Sequence, residues 1–541
     1  MNEKMLFSNC IISVDNNSFG CLWEQGKYCG KEETIAVEKT GMPIVKEKIN
    51  MTMMAPGGEA EWDELASAKA LAELTGITFD YITPPSTDFE AKLNLAFASG
   101  ELPDVIFGAG SGLSNAKQSD YGSQGILIAL EDLIDDYAPN LKKILDENPE
   151  FKKSITAPDG HIYSLPRLYP EDTSSPLYIS PLWYNGEWLE KLGVTELPKN
   201  TDELYKLLKR FKEEDPNGNG KQDEIPLSDG NKLAIIRTWL LPAFGMKSLG
   251  IEEVNGKVRY AAASANYKEY LTYMNKLYSE GLLDPEVFSQ SEEKYQGNTQ
   301  TDKVGLFGAY ASYMATGKMP EDSLSDPMFS PVTSSIQNTP LAPGHPRVTT
   351  GTFAITNKCK SPEAAMRWAD YLYTEEGQDL MTKGPEGAFW KYETNDSGEK
   401  VRVYTGENKQ KMEEDRGKIA MDYGLVVPGL EDDYAQSVLA NVNDPDPSLW
   451  TEFRMKEINE KIMPNTEVPF PIVYMTKDEA DQIAINATDI RTYVEQMEAK
   501  FITGVESLAK WDEYVSTLKS MGLNDFVSTY QKAYDRWAKT E

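Results

Sequence analysis

The chain has 541 residues, with 86 acidic and 54 basic side chains, a formal net charge of −32 and only two histidines. So negative a protein repels phosphate backbones and anionic lipid, which excludes nucleic acid as an expected partner, and the scarcity of histidine removes most histidine-based triads and zinc sites. The 40% apolar content is typical of a folded protein, and the length predicts two to four domains or lobes. With the charge and the histidine scarcity, this favours a large acidic binding protein over an enzyme.

Residues 1–47 are predicted to be a disordered leader and polar tether. Their apolar stretch at residues 11–14 is interrupted by Asp15 and is shorter than the roughly 7–15 residues of a secretory signal. Gly20 and Cys21 resemble the end of a lipoprotein cleavage site, which makes Cys21 the candidate lipid-bearing residue. Cys359 is far from the other three cysteines, so we expect no disulfide framework and interpret Cys359 as a buried or half-buried thiol.

Regular structure is predicted from about residue 49. Strands are predicted at residues 49–55, 77–82 and 103–107, with helices at 61–74 and 88–98 between them. The second helix is expected to open with a capping box from Thr87 to Glu90 and to end at Gly100. This βαβαβ order predicts a parallel sheet covered by helices. The glycine-rich segment 108–112 lacks the features of a phosphate-binding loop, so we interpret it as a turn at a cleft edge.

The rest of the chain alternates helices with short strands. Helices are predicted at residues 137–155, 187–192, 201–214 and 267–281, and strands at 161–165 and 304–307. Residues 348–356 are rich in β-formers, a helix follows from Pro362, and residues 391–418 are expected to be loop-like. From Thr476, where a capping box to Glu479 is predicted, the chain is expected to be helical, with buried stripes at residues 490–501 and 511–518.

Residues 215–224 have the spacing of a calcium-binding loop. Oxygen-bearing side chains occupy positions 1, 3, 5 and 9, Gly220 occupies position 6, and Lys221 at position 7 offers its backbone carbonyl. Pro226 replaces the usual bidentate Glu at position 12, where the adjacent Asp223 and Glu224 are candidates to supply the missing carboxylates. The alternative is an Asn/Gly-rich turn that ends a helix without any metal. The regular recurrence of oxygen ligands favours a structural Ca²⁺.

Several stretches, taken in order, resemble one family. They are LPDVI at 102–106, PDGHIYSLP at 158–166, LWYNGEWLEKLG at 182–193, KCKSPEAA at 358–365, YTEEG at 373–377, GPEG at 384–387, and three tail motifs at 500–504, 511–515 and 533–536. Over residues 48–541 the chain resembles the family-1 extracellular solute-binding proteins of bacterial ABC importers. More narrowly, it is similar to their lipoprotein-type, carbohydrate-binding members related to alginate-oligosaccharide-binding proteins.

The resemblance implies an α/β, two-lobe periplasmic-binding-protein-like fold with a ligand cleft between the lobes and a helical C-terminal region. Such proteins close on their ligand about a hinge. We expect lobe 1 to comprise residues 48–165 plus about 346–400, and lobe 2 residues 166–345 plus about 401–541. The family also implies a calcium-stabilised loop, with the ligands Asp215, Asn217, Asn219, the Lys221 carbonyl, Asp223 and Glu224.

Partners and location follow from the same resemblance. It implies an oligosaccharide ligand, ABC transporter permease subunits as partners, a monomer, and a place on the extracellular face of the cell membrane, lipid-anchored at Cys21. Two features depart from the family pattern. The cleavage site before Cys21 is degraded, and Tyr184-Asn185-Gly186 stands where the family has a basic residue, which indicates a different sugar contact there.

A sugar site needs aromatic platforms for the apolar ring faces and oriented polar groups for the hydroxyls. The candidates are Trp183, Asn185, Trp239, Tyr310, Trp390, Glu386, Arg167 and Trp62. Tyr310 is among them because it follows the strand predicted at 304–307, whose loop a parallel sheet would direct to the cleft. Core packing is the alternative role for each tryptophan, and a structural ion pair is the alternative for Glu386 and Arg167. A uronide ligand would require a basic patch, for which the candidates are Arg167, Arg237, Arg347 and Arg454, so a neutral oligosaccharide is favoured.

Two other classes of function remain open. A glycoside hydrolase needs only paired carboxylates and no histidine, although no acidic pair stands out among the 86 acids. A calcium-regulated adaptor or a surface adhesin is the third alternative, but a single loop without internal repeats argues against it. The prediction is a non-catalytic receptor that feeds an importer.

Overall fold

Two separate hydrophobic cores organise the chain from Val37 onward, which is one compact unit. The computed structural model describes residues 36–58, 60–169, 180–408, 411–431, 438, 442 and 447–539. Cys21 and most of the predicted leader lie outside these residues. Packing begins earlier than the expected start near residue 48, because Ile44 and Val45 are buried in the first core.

The described strands and helices alternate along the chain. The strands are β1 Ile49–Met54, β2 Ile77–Ile82, β3 Val105–Phe107, β4 Leu165–Leu168, β5 Leu182–Tyr184, β6 Ile225–Asp229, β7 Ile251–Val254, β8 Lys257–Tyr260, β9 Val304–Gly308, β10 Ala342–Pro343, β11 Val348–Ile355, β12 Trp390–Thr394, β13 Lys400–Tyr404, β14 Gly429–Leu430 and β15 Thr466–Glu467. The helices are α1 Ala66–Thr75, α2 Phe89–Ser99, α3 Asn115–Ser123, α4 Glu131–Tyr137, α5 Pro139–Glu147, α6 Pro149–Ile155, α7 Gly186–Lys191, α8 Thr201–Glu213, α9 Ala234–Leu240, α10 Ala265–Ser279, α11 Glu292–Gln300, α12 Ser312–Thr316, α13 Pro362–Tyr371, α14 Glu375–Lys383, α15 Met412–Arg416, α16 Pro447–Glu457, α17 Lys477–Thr503, α18 Trp511–Ser520 and α19 Leu523–Lys539. None of these helices combines the length and apolarity that a membrane crossing requires.

The first lobe is built on a six-stranded sheet with the order β14-β4-β11-β3-β1-β2. β1 pairs in parallel with β2 and β3, which confirms the predicted parallel opening. β11 runs antiparallel to β3 and β4, whereas β14 is parallel to β4. All strands except β11 therefore point the same way, and the end of β4, the start of β11 and the end of β14 lie at one edge of the sheet.

The second lobe contains a three-stranded sheet with the order β5-β9-β6, in which β6 and β9 are parallel and β5 is antiparallel. The C-terminal region is helical, as predicted, and α17 packs against α10 and α19. The expected stripes are buried, including Val494, Phe501 and Tyr514. The Thr476 capping box is confirmed, since Glu479 N donates to Thr476 Oγ1 at 3.3 Å and Thr476 N donates to Glu479 Oε2 at 2.9 Å.

Several local predictions were wrong. α2 has no side-chain cap, so the predicted Thr87 box does not form. The expected helix at residues 137–155 is two helices, α5 and α6, because each begins at a proline. The strand expected at 161–165 begins only at Leu165, where β4 starts. Residues 391–418 are not mainly loop, since they contain most of the β12–β13 hairpin and α15. Cys359 is half-buried and unpaired, as predicted.

The cores show which segments pack together. The first core draws its residues from 44–168 and 348–427, and the second from 182–342 and 450–526. Met421 and Val427 belong to the first core, although the sequence expectation placed the chain after about residue 400 in lobe 2.

Candidate functional site

A pocket with a cavity volume of about 250 Å³ lies at the carboxyl ends of β6 and β9. The two strands are neighbours, and Asp229 pairs with Gly308 at their last residues. Gly230 and Ala309, the residues that follow, both line the pocket. Loops after parallel strands converge at the carboxyl edge of a sheet, which is where α/β folds bind ligands. Compared with the ~30 Å³ that one water molecule occupies, the pocket has room for roughly one monosaccharide ring.

The pocket lining combines apolar and polar surface. Tyr295 and Ala315 are buried lining residues, whereas Asn231, Tyr310 and Met314 are exposed. Tyr310 exposes 41% of its surface. An aromatic ring and a thioether beside polar groups are what an amphipathic sugar ring requires.

The buried indoles of Trp183 and Trp239 donate hydrogen bonds to backbone carbonyls of the pocket wall. Trp183 Nε1 donates to the carbonyl of Ala309 at 3.0 Å, and Trp239 Nε1 donates to the carbonyl of Ser180 at 2.8 Å. Ser180 and Ala309 both line the pocket, and Ala309 N donates to the carbonyl of the adjacent Pro181 at 3.1 Å. These bonds join the segment entering β5 to the segment leaving β9, so the indoles position the pocket without exposing a ring to it.

Asp229 shapes the loop that follows β6. Its fully buried carboxylate accepts backbone N–H bonds at 2.9, 3.0 and 2.9 Å from Asn231, Leu233 and Ile236. Burial raises the pKa of the Asp229 carboxyl, and these N–H donors oppose that rise. The loop contains two consecutive non-glycine residues in the left-handed region, Lys232 at φ 48° and Leu233 at φ 72°. Strain of this kind persists where the surroundings enforce it and often marks a functional loop.

The carboxylate of Glu292 lies against Gly230 on the pocket wall. A Cβ atom at position 230 would lie 2.3 Å from Glu292 Oε2, so glycine leaves the space that the carboxylate occupies. Gln296 Nε2 donates to Glu292 Oε1 at 3.1 Å, which orients the carboxylate from the next turn of α11. Glu292 and Gln296 both line the pocket.

Two larger cavities lie elsewhere in the second lobe. One of about 490 Å³ is lined by Pro198, Pro331 and Lys461, and one of about 390 Å³ is lined by Asn255 and Glu467. Neither contains a residue that follows the carboxyl end of β6 or β9. The pocket beside Tyr310 is therefore the candidate ligand site, because topology and polar lining coincide there.

The predicted calcium loop lies at the opposite edge of the same sheet. Asp223 Oδ2 is 3.1 Å from Lys303 Nζ, and these two residues stand just before β6 and β9 begin. At ~3.3 Å per residue, a five-residue strand separates the loop from the pocket by roughly 16 Å. A cation in this loop would act on the fold and would not touch a ligand in the pocket.

The loop has the turns of an oxygen-rich cation site. Gly220 N donates to Asp215 Oδ2 at 3.1 Å, Lys221 N donates to Asn219 Oδ1 at 2.7 Å, and Asn219 N donates to Asn217 Oδ1 at 3.0 Å. Gly220 has φ 72°, the left-handed conformation that the sharp turn requires.

The chemistry of the donor set fits a hard cation. Glu224 Oε1 is buried and accepts no hydrogen bond from the residues that the structure describes. Burial raises the pKa of Glu224, and the nearby carboxylates of Asp215 and Asp223 raise it further. A cation would relieve both effects. In the described ranges, no group of three or more His, Cys, Asp or Glu side chains is arranged to hold a metal. A cation in this loop would therefore also need the amide oxygens of Asn217 and Asn219 and the backbone carbonyl of Lys221.

Two predicted ligand residues of the second lobe pack inside it. The Trp183 ring is 0% exposed, and its centre lies 5.3 Å from the ring centre of Trp450, so a sugar would reach Trp183 only if that packing opened. Asn185 caps α7, accepting from Trp188 N at 3.2 Å and donating to Asp302 Oδ1 at 2.7 Å. Asn185 N bonds the carbonyl of Gly305, at the end of β9 that faces the calcium loop.

Four predicted ligand residues belong to the first lobe. Arg167 bonds Glu431 and Gln378. Glu386 is exposed and accepts from Tyr392 N at 3.2 Å. The remaining two, Trp390 and Trp62, are almost entirely buried. The structure thus gathers Trp183, Trp239 and Tyr310 around one pocket, whereas these four residues do not line it.

The pattern of bacterial extracellular solute-binding proteins matches residues 56–379, more than half of the chain. The chain belongs to this family. Its two cores, mixed α/β sheets and helical C-terminal region form the two-lobe fold that the family resemblance implied.

Known relatives of this solute-binding protein match over nearly the full chain. The fructooligosaccharide ABC transporter substrate-binding protein FusA of Streptococcus pneumoniae serotype 4 is 31% identical over 527 residues, covering 94% of this chain and 95% of FusA. The polygalacturonan/rhamnogalacturonan-binding protein YtcQ of Bacillus subtilis is 24% identical over 517 residues, covering 93% and 94%.

Solved structures agree with this fold. FusA from S. pneumoniae in complex with kestose has a TM-score of 0.71 at 29% identity, covering 91% of this chain and 100% of that one. A FusA EF-hand mutant in complex with fructo-nystose also has a TM-score of 0.71, at 28% identity, with the same coverage.

Several pocket residues of this solute-binding protein were missed from the sequence. Asn231 was not among the candidates because β6 was not recognised as a strand, and Glu292 and Gln296 were missed because they lie on α11, which was not predicted either. Tyr310 was found by the strand-end argument. Pro226 inside β6 obscured the β signal. The Asp229-Gly230 pair, a turn signal two residues after the apolar Leu227, was the feature that marked the strand end.

Proposed function

We propose that this chain is the substrate-binding component of an ABC importer, which captures an oligosaccharide between its lobes and delivers it to the membrane permease. The pocket at the carboxyl ends of β6 and β9 carries the proposal, because it joins an exposed aromatic ring to oriented polar groups. The function named for FusA, a relative that matches 94% of the chain, supports it.

Closure of the lobes is proposed to occur about neighbouring chain crossings. Val348 pairs with Leu168, and Leu430 pairs with the same Leu168, so three segments leave the first sheet side by side. We place lobe 1 at residues 37–169 and 348–431, and lobe 2 at 180–343 and 447–539. Adjacent crossings allow rotation with small backbone changes, which is the basis of hinge closure.

Tyr310 is proposed as the aromatic platform of the second lobe. Tyr310→Ala is expected to weaken oligosaccharide binding at least about tenfold, as for a hot-spot ring. Met314→Ala tests the apolar neighbour, and Met319→Ala is its matched control because Met319 is also exposed but does not line the pocket.

The measurement is a thermal-shift screen of neutral and acidic oligosaccharides, followed by calorimetric titration of each hit. We expect a saturable ligand whose affinity falls in Tyr310→Ala and Met314→Ala and is retained in Met319→Ala. Absence of any saccharide ligand would overturn the proposal. Release of shorter products from a bound glycan would instead favour the glycoside hydrolase alternative.

The loop at residues 215–224 is proposed to bind a structural Ca²⁺ through Asp215, Asn217, Asn219, the Lys221 carbonyl, Asp223 and Glu224. The buried carboxylate of Glu224 supports this. FusA, for which an EF-hand mutant is known, supports it as well. The ion would join the end of α8 to the start of β6 and would supply no chemistry to the ligand.

Chelation tests the calcium proposal. At a calcium concentration about 100 times the dissociation constant, binding stabilises the native state by about 2.7 kcal/mol, so EGTA should lower the melting temperature and added Ca²⁺ should restore it. Asp215→Ala is expected to melt at the chelated temperature with or without Ca²⁺. An unchanged melting temperature of the intact protein in EGTA would contradict the proposal.

The protein is proposed to act at the outer face of the cell membrane, anchored through lipid on Cys21. Membership of an extracellular family supports the location. Mass spectrometry of the N-terminal peptide from membrane fractions tests the anchor, with diacylglyceryl-modified Cys21 as the expected product. Recovery of an unmodified Cys21 peptide from the secreted protein would rule the anchor out.

A further inference from the structure

The charge of the pocket beside Tyr310 distinguishes two classes of saccharide. Among the lining residues that the structure describes, Glu292 is the one that carries a charge. The other polar side chains at the wall include Ser180, Asn231 and Gln296, which exchange hydrogen bonds with hydroxyls and carry no charge. A sugar carboxylate in this pocket would meet a like charge, with no cation among the described lining residues to balance it.

The Glu292 carboxylate is built into the wall. Its Oε2 lies where a side chain at position 230 would begin, and its Oε1 accepts the amide of Gln296 at 3.1 Å. A carboxylate offers two oxygens with several acceptor positions, which suits a pair of neighbouring sugar hydroxyls. A sugar carboxylate roughly 4 Å from Glu292 would be repelled by it, whereas a neutral sugar would not. This repulsion is enough to weaken binding of the charged sugar at least about fivefold.

The arginines that would have formed a uronide site are engaged elsewhere. Arg167 pairs with Glu431, and Arg237 pairs with Glu498 at 2.6 Å inside the second lobe. Arg347 Nε donates to the carbonyl of Tyr169 at 3.0 Å.

Arg454 lies against Tyr310, a residue of the pocket wall. Its guanidinium carbon lies 4.4 Å from the ring centre of Tyr310, and the residue is 5% exposed. It is absent from the pocket lining. We interpret it as a support for the Tyr310 ring, because a cation held against a ring face at this burial is not presented to solvent.

We propose that this pocket takes a neutral, hydroxyl-bearing sugar unit and that Glu292 is the residue that discriminates against uronides. This inference rests on the proposed oligosaccharide-binding function. It separates the ligand class named for FusA, a fructooligosaccharide, from the galacturonan class named for YtcQ.

Calorimetric titration with two sets of probes tests the proposal. The neutral set is kestose, nystose, maltotriose, xylotriose and mannotriose, and the acidic set is trigalacturonate and trimannuronate. The intact protein is expected to bind at least one neutral probe, and each uronide at least about tenfold more weakly. Glu292→Gln should reduce that preference about fivefold or more, with an unchanged melting temperature, because it keeps the shape and removes the charge.

Glu293→Gln is the matched control. Glu293 is the next residue of the same helix, is exposed and does not line the pocket, so its variant loses the same charge from the protein without changing the site. An equal change of preference in both variants would show a general charge effect and would overturn the role of Glu292. Tighter binding of a uronide by the intact protein would overturn the neutral class while leaving the proposed function in place. If no probe of either set binds, the proposed function fails together with this inference.

Discussion

Asp229 links the fold of the second lobe to its pocket through three backbone N–H bonds. In Asp229→Asn one acceptor oxygen becomes an amide that faces these donors, so we expect a loss of about 1–3 kcal/mol of stability. The strained loop at Lys232 and Leu233 should relax, and ligand affinity should fall about tenfold. Melting temperature and calorimetric titration measure the two effects.

Asp370→Asn is the control for this prediction. Asp370 is a buried carboxylate of the first lobe that accepts N–H bonds from Asn140 and Leu141 at 3.0 and 2.9 Å. Its variant should lose a comparable amount of stability and keep the affinity for ligand. If both variants bind equally weakly, the loss would reflect general destabilisation, and Asp229 would have no special part in the site.

At the scale of single residues, the sequence indicated which aromatic residues lie near the pocket but not which of them are exposed to it. Trp183 was a candidate sugar contact with core packing as its alternative role, and its ring is buried against Trp450, more than 200 positions away along the chain. Tyr310 was found because it follows a strand whose carboxyl end could be inferred from sequence. Side-chain exposure is a tertiary property, so residue type alone could not separate the ring that faces the pocket from the ring that supports it.

At the scale of elements, segment 417–425 covers the carboxyl edge of the first sheet. Gly108, directly after β3, has φ 62°, and a Cβ there would lie 3.2 Å from Leu425 Cδ1. Gly108→Ala should therefore cost about 1 kcal/mol for the left-handed backbone and at least about 1 kcal/mol more for displacing Leu425. We expect a lower melting temperature and faster tryptic cleavage after Lys418.

Gly110→Ala separates these two contributions. Gly110 has φ 48°, but a Cβ there meets nothing within 4 Å. Its variant should bear only the backbone cost and keep the tryptic pattern of the intact protein. Equal melting and cleavage in the two variants would mean that segment 417–425 does not depend on contact with the end of β3.

Element predictions succeeded where the local signal was sufficient. The Thr476 capping box forms because Thr476 has an extended backbone, whereas the Thr87 box fails because Asp88, the residue that precedes α2, already has helical dihedrals. Glu90 contacts Lys117 at 2.8 Å instead. A capping motif in the sequence shows that a capping box is favoured. Whether the box forms depends on the backbone conformation of the residues that precede the helix.

At the scale of the whole molecule, Tyr474 connects the two lobes. Its side chain packs in a first-lobe cluster and its hydroxyl donates to Gln118 Oε1 at 2.7 Å, while Arg536 of α19 donates to its backbone carbonyl at 2.8 Å. Sequence order predicted the helical C-terminal region but not this contact, because the 118–474 pairing spans most of the chain. The insertion of β11 between β3 and β4 escaped prediction for the same reason.

Tyr474→Phe is expected to broaden the distribution of lobe orientations, because it removes the hydroxyl bond to Gln118 and keeps the ring packing. Part of the ligand's binding energy must then order the lobes, so affinity should fall roughly threefold or more, while stability falls by about 1 kcal/mol. Small-angle X-ray scattering with and without ligand should show a larger change in radius of gyration than for the intact protein.

Tyr514→Phe is the matched control, since the Tyr514 hydroxyl donates to the carbonyl of Ala262 at 3.1 Å within the second lobe. It should lose similar stability with unchanged affinity and scattering; a Tyr474→Phe variant that behaves in the same way would show that this contact stabilises the fold without governing closure.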